Sequence, residues 1–122
     1  MADNKQYIIQ EQEGGSVLIY EDVIVSIVTL AVTEVEGVAG LSAKPGSDIV
    51  ELIGKKNWGK GLKVVINEDN TLNVDCNINV KYGYAVVDVA KASQDAIINA
   101  LESMTGVKVN YVSINVCGII RQ

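Results

Sequence analysis

The hydrophobic positions of this chain change period along its length, and each period predicts a different element. From Thr71 to Lys81, Leu72, Val74, Cys76, Ile78 and Val80 alternate with Asn73, Asp75, Asn77, Asn79 and Lys81. A period of two sends one set to a core and the other to water, so this is a half-buried strand with a wet, asparagine-rich outer face. Leu62 to Ile66, joined to it through Asn67-Glu68-Asp69-Asn70, supplies the hairpin partner. From Val86 to Met104 the spacing becomes helical. Val86, Val89, Ala90, Ile97, Ala100, Leu101 and Met104 lie close to one face, while Asp88, Lys91, Asp95, Asn99 and Glu102 point away. Gly106 ends that helix.

The first half of the chain is less regular. Residues 1–15 are polar around a Tyr7-Ile8-Ile9 island and end in Gly14-Gly15, which predicts a flexible N-terminal segment. Ser16 to Tyr20 reads as a short strand. Glu21 and Asp22 then open a helix over 21–36, with Ile24, Ile27, Val28, Ala31 and Val35 at core spacing, although its β-branched residues make a strand a competitor. Gly37 follows, then a short strand from Val38 to Ser42. Lys44-Pro45-Gly46-Ser47 signals a turn, and a short helix is expected from Asp48 to Ile53. Near the end, Val107 and Val109 alternate in one phase and Val112, Ile114 and Val116 in the other, which places a bulge near Tyr111 in a strand over 107–116.

These elements add up to an α+β fold: a small mixed β-sheet with two long helices packed on one face, in a single domain over residues 16–118 followed by a tail, 119–122. If the 71–81 strand, the long helix and the last strand form one crossover unit, the two strands are parallel and the connection right-handed. A chain of 122 residues has room for one core, and its apolar residues are Val, Ile, Ala and Leu, with no Phe and one Trp. That composition suits a thin layered core. No apolar run reaches the roughly 18 to 20 residues that cross a bilayer, and the N-terminus lacks a basic stretch followed by an apolar one, so a cytoplasmic location is expected. The net charge of −5 disfavours a surface made for nucleic acid.

Catalytic groups are hard to find. The chain has no histidine, and no carboxylate pair lies in an apolar surround. Glu34 and Glu36 straddle a helix end and should be exposed. Cys76 alternates with apolar residues and reads as a small core side chain, and two distant cysteines make neither a disulfide framework nor a zinc site. No catalytic, metal or cofactor residue is assigned. Gly54-Lys55-Lys56-Asn57-Trp58-Gly59-Lys60-Gly61 approaches a phosphate-binding loop, but Gly61 stands where a Ser or Thr should hold magnesium, and the flanking elements come in the wrong order.

Two other constellations are candidates for docking. Lys44, Lys55, Lys56, Lys60 and Lys63 hold half of the ten basic residues, and Trp58 lies among them. They form either a solvated loop or, with Trp58 as anchor, a site for an acidic partner or a lipid headgroup. Tyr82 and Tyr84 bracket Gly83 at a strand-to-helix corner, where they either contact a partner or fasten the corner with their rings.

Ala31-Val32-Thr33-Glu34-Val35-Glu36-Gly37-Val38, Gly59-Lys60-Gly61-Leu62-Lys63-Val64, Val80-Lys81-Tyr82-Gly83, Val89-Ala90 and Met104-Thr105-Gly106-Val107 occur in that order. In this the chain resembles the alkaline-shock-protein family of Gram-positive bacteria over about residues 16–118. One departure is Val87, where that family often has a proline at the helix start. The resemblance implies a cytosolic homo-oligomer without catalytic residues, able to collect at the inner face of the membrane on a membrane-anchored protein partner. The leading expectation is therefore a non-enzymatic, self-associating scaffold in cell-envelope homeostasis or alkaline and envelope stress. The alternatives are an accessory partner of a soluble metabolic enzyme and, disfavoured by the acidity, a nucleic-acid module.

Overall fold

A computed structural model describes residues 7–42 and 61–121. Among them the order is β1 (Tyr7–Gln12), β2 (Gly15–Tyr20), α1 (Glu21–Thr33), β3 (Val38–Leu41), β4 (Leu62–Ile66), β5 (Leu72–Lys81), α2 (Val86–Thr105) and β6 (Val109–Ile120). The architecture is mixed α+β, with a two-stranded sheet, a four-stranded sheet and two helices. The short helix expected from Asp48 to Ile53 lies outside the described residues.

Strand β5 organises the larger sheet. Its apolar positions all reach the core: Leu72, Val74, Cys76, Ile78 and Val80 have no exposed surface. On one edge its first half pairs antiparallel with β4 and its second half antiparallel with β3; along the other edge it pairs in parallel with β6. The parallel pairing agrees with the crossover reading of strand, helix and strand. Two register shifts punctuate β6. Leu72 faces Val109 while Asn73 faces Tyr111, so Asn110 is the extra residue and the bulge falls next to Tyr111 as its phase change requires. A second shift passes over Cys117 and carries the strand to Ile120, beyond the end at Val116 expected for it from sequence.

Helix α1 buries Ile24, Val25, Ile27, Val28 and Val32. It stops at Thr33, three residues short of the expected end, where the threonine hydroxyl turns back onto the Thr29 carbonyl at 2.7 Å. Helix α2 buries Val89, Ser93, Ile97, Leu101 and Thr105, a stripe at strict four-residue spacing. Two residues assigned to its core face, Val86 and Met104, are exposed instead. Hydroxyl side chains occupy the stripe without leaving a polar orphan, since Ser93 donates to the Val89 carbonyl at 2.8 Å and Thr105 to that of Leu101. Gly106 closes α2 in the left-handed conformation, its N–H bonded to the Glu102 carbonyl. The buried apolar side chains of both helices and of β3 to β6 join one core cluster.

That cluster also includes Ile8, at 0% exposure, although the sequence reads residues 1–15 as a flexible segment, of which the structure describes the part from Tyr7 onward. Tyr7 to Gln12 is a strand, paired antiparallel with β2 over its whole length. Gln10 Nε2 donates to the Thr105 carbonyl at 2.8 Å and Asn70 Nδ2 to the Ile9 carbonyl at 3.3 Å. A two-stranded hairpin is marginal in water; here Ile8, with Ile19 packed against the same core, and two side-chain bonds seat it against the rest of the fold.

Candidate interaction surface

The asparagine-rich outer face of β5 is drier than its sequence implies. Asn77 is 1% exposed, and Asn73, Asp75 and Asn79 are half-buried. Cys76, on the opposite face, is buried; desolvation first, and Cys117 second, push its thiol up to about 12, so it holds its proton at neutral pH and is a poor nucleophile. Glu34 and Glu36 are exposed, as their position at a helix end requires. Two surface hollows, of about 360 and 400 Å³, lie beside Gly106 and at the Asn67–Thr71 turn; the second is lined by Asn67, Glu68, Asp69, Thr71, Asn73 and Asn110. No helix of the described residues is long and apolar enough to cross a membrane.

Of the docking candidates, Lys55, Lys56, Trp58 and Lys60 lie outside the described residues. Lys63 is on β4 opposite Asp75. Tyr82 and Tyr84 stand at the corner between β5 and α2, and the structure gives them different environments. The Tyr84 ring fits against Gly37, where a Cβ would come within 2.9 Å of Tyr84 Cδ2 and 2.7 Å of Val89 Cγ2. Its hydroxyl donates to Glu36 at 3.4 Å, while the Gly37 carbonyl accepts the Lys81 N–H at 2.8 Å. Tyr84 thus joins the end of the α1 region to the start of α2. Tyr82 is 65% exposed; its N–H binds the Ile120 carbonyl at 2.8 Å, and the Arg121 guanidinium sits 5.2 Å from its ring centroid.

Around this corner Val87, Ile119 and Ile120 are also exposed. Helix α2 begins there on Ala85 without a side-chain cap. Sequence reasoning found the tyrosines but missed Ile119, Ile120 and Arg121, because it ended the last strand at Val116. The apolar, β-branched pair Ile119-Ile120 that follows Gly118 is the signal that could have found them. A second group of exposed apolar residues, Val17, Leu18, Tyr20, Val23 and Leu30, lies on β2 and α1.

Comparison with known proteins gives these surfaces a family context. The chain is 35% identical to the protein YqhY of Bacillus subtilis over 121 residues, covering 98% of this chain and 89% of that one. It is 31% identical to Spy1614 of Streptococcus pyogenes over 109 residues, 88% of this chain and 89% of the relative. YloU of Bacillus subtilis is 26% identical over 107 residues, 86% of this chain and 88% of its own. No solved structure matches. The model of the alkaline shock protein 23 family, described by a cell envelope-related function, matches residues 9–121, from the middle of β1 to the end of β6, and the chain belongs to that family.

Proposed function

We propose that this protein is a non-enzymatic, self-associating scaffold of cell-envelope homeostasis or of the alkaline and envelope stress response. It would work in the cytoplasm and dock on a membrane-anchored partner at the inner face of the membrane. The family match across residues 9–121, with its cell envelope-related function, carries the reading. Both helices on one face of the sheet, as expected from the sequence, would suit a scaffold by leaving other surfaces and edges to partners. The exposed apolar residues at the β5–α2 corner and on β2 and α1 are the kind of surface that association buries. The loop with Lys55, Lys56, Trp58 and Lys60 is the proposed contact to an acidic partner, with Tyr82 and Tyr84 as further contacts.

The test is mass spectrometry of proteins that co-purify with a tagged copy from its own cells, for wild type and for Trp58→Ala combined with Lys55→Glu and Lys56→Glu. Enrichment of a small membrane-anchored protein, lost in the variant, is the expected result. Recovery of a soluble metabolic enzyme with no membrane protein would replace this reading with that of an accessory subunit.

A further inference from the structure

The hairpin β1–β2 carries apolar side chains on both of its faces. Ile8 and Ile19 sit opposite each other in register and pack on the core, so their neighbours along each strand, Tyr7 and Ile9 on β1 and Leu18 and Tyr20 on β2, lie on the other face. On that face Tyr7, Leu18 and Tyr20 are exposed and Ile9 is half-buried. The rings of Tyr7 and Tyr20, themselves a cross-strand pair, touch with centroids 5.6 Å apart. An antiparallel pair with one face on a core ordinarily turns polar residues to water. Here Val17-Leu18-Ile19-Tyr20 is apolar without a break, the pattern of a strand buried on both sides.

The charge around this face has one sign. Residues 7–42 contain Glu11, Glu13, Glu21, Asp22, Glu34 and Glu36 and no Lys or Arg, whereas residues 61–121 are nearly balanced, with five basic residues and six acidic. Glu11 stands on the outer face itself, next in line after Ile9, and Glu13 is in the adjoining turn. Both are exposed. An acidic rim repels an anionic lipid surface, and a two-fold contact of the face with itself would bring two such rims together. A cationic partner is drawn to the rim, and its Lys or Arg side chains can also lie over the tyrosine rings. The six residues of each strand make a ribbon roughly 20 Å long, the length of about 13 residues of α-helix.

We propose that the outer face of β1–β2 binds a basic amphipathic helix of a partner protein. Its apolar side chains would rest on Tyr7, Ile9, Leu18 and Tyr20, and its Lys or Arg residues would meet Glu11, Glu13 and the two rings. The site is opposite in sign to the lysine loop and takes a partner of opposite charge. It holds whether or not the chain self-associates.

Fluorescence anisotropy of the full chain with a labelled helical peptide tests this, the probe being about 14 residues long with Leu on one face and Lys and Arg on the other. Wild type should bind it saturably, and Leu18→Thr and Glu11→Lys should each weaken binding about tenfold. Asp95→Lys, at an exposed position of α2, changes the net charge by the same amount as Glu11→Lys and should stay within about twofold of wild type. Raising the salt should weaken binding, because the rim charges are exposed and screened. Circular dichroism verifies folding, and if Leu18→Thr does not fold, Glu11→Lys against Asp95→Lys decides. No binding by wild type, binding that Asp95→Lys weakens as much as Glu11→Lys, or equally tight binding of a Leu and Glu peptide at the same face would overturn the proposal. So would binding to phosphatidylglycerol and phosphatidylethanolamine vesicles, or self-association in ultracentrifugation, that Leu18→Thr abolishes, since the face would then belong to a membrane or to a second copy.

Discussion

Asn115 donates its side-chain amide to Oδ1 of Asn77 at 2.8 Å, between two residues that face each other in register across the parallel pair β5–β6. Asn77 is 1% exposed and its own Nδ2 has no acceptor. The bond therefore supplies the one partner that the Asn77 side chain has among the described residues. Asn115→Ala would leave a buried amide with neither end satisfied and should cost about 1 to 2 kcal/mol, read as a lower urea midpoint with unchanged slope. A change within a few tenths of a kcal/mol would show that solvent replaces the bond.

The seat of β1 makes a larger prediction. Ile8 has no exposed surface and belongs to the main core cluster, so Ile8→Ala should destabilise the whole fold by about 2 to 4 kcal/mol, as truncation of a buried isoleucine does. A frayed terminus would give almost no change in the same thermal or denaturant unfolding measurement.

Gly37 has φ +96°, and a Cβ there would meet Val89 and Tyr84 below 3.0 Å. Gly37→Ala should combine backbone strain with displacement of the Tyr84 ring and cost about 2 kcal/mol or more. Near-ultraviolet circular dichroism should report the moved tyrosine, and an unchanged spectrum would count against the packing of Tyr84 on Gly37.

Cys76 gives the fold a dependence on alkaline pH. Burial raises its thiol from 9.0 to about 12, so between these values the folded state keeps a proton that the unfolded chain releases. Its contribution is complete below pH 9 and is lost as pH rises towards 12, by about 1.4 kcal/mol per pH unit. Denaturant unfolding at pH 8 and pH 10.5 should show a smaller pH-dependent loss in Cys76→Val than in wild type. Equal losses would mean that Cys76 does not titrate on unfolding. At pH 8 a thiol reagent should label Cys117, which is partly exposed, well before Cys76.

Sequence reasoning succeeded where burial is decided locally. In β5 every second residue is apolar because one face meets the core, and the same logic found most of α1, the body of α2 and the bulge beside Tyr111. It failed where burial depends on distant residues. Nothing within Tyr7 to Gln12 announces that Gln10 will bind a carbonyl 95 positions away. Asn77 looks solvated by its alternation and is buried. In α2 the stripe runs through Ser93 and Thr105, which satisfy their hydroxyls on the preceding turn and so pass as core, while Met104 faces out. Of the candidate site, Tyr82 and Tyr84 were legible from their corner. The shift at Cys117 hid the apolar end of β6, since it resets the period on which the reading depended.

The bond from Gln10 to Thr105 also constrains how the chain comes into being. A ribosome adding about 5 to 20 residues per second needs roughly 5 to 20 s to bring the second partner after the first. Throughout that interval the hairpin has emerged without the surface that receives it, and Ile8 is open to solvent or to a chaperone. The first strand made is thus among the last to dock, and a stalled or truncated chain would leave it permanently unhoused.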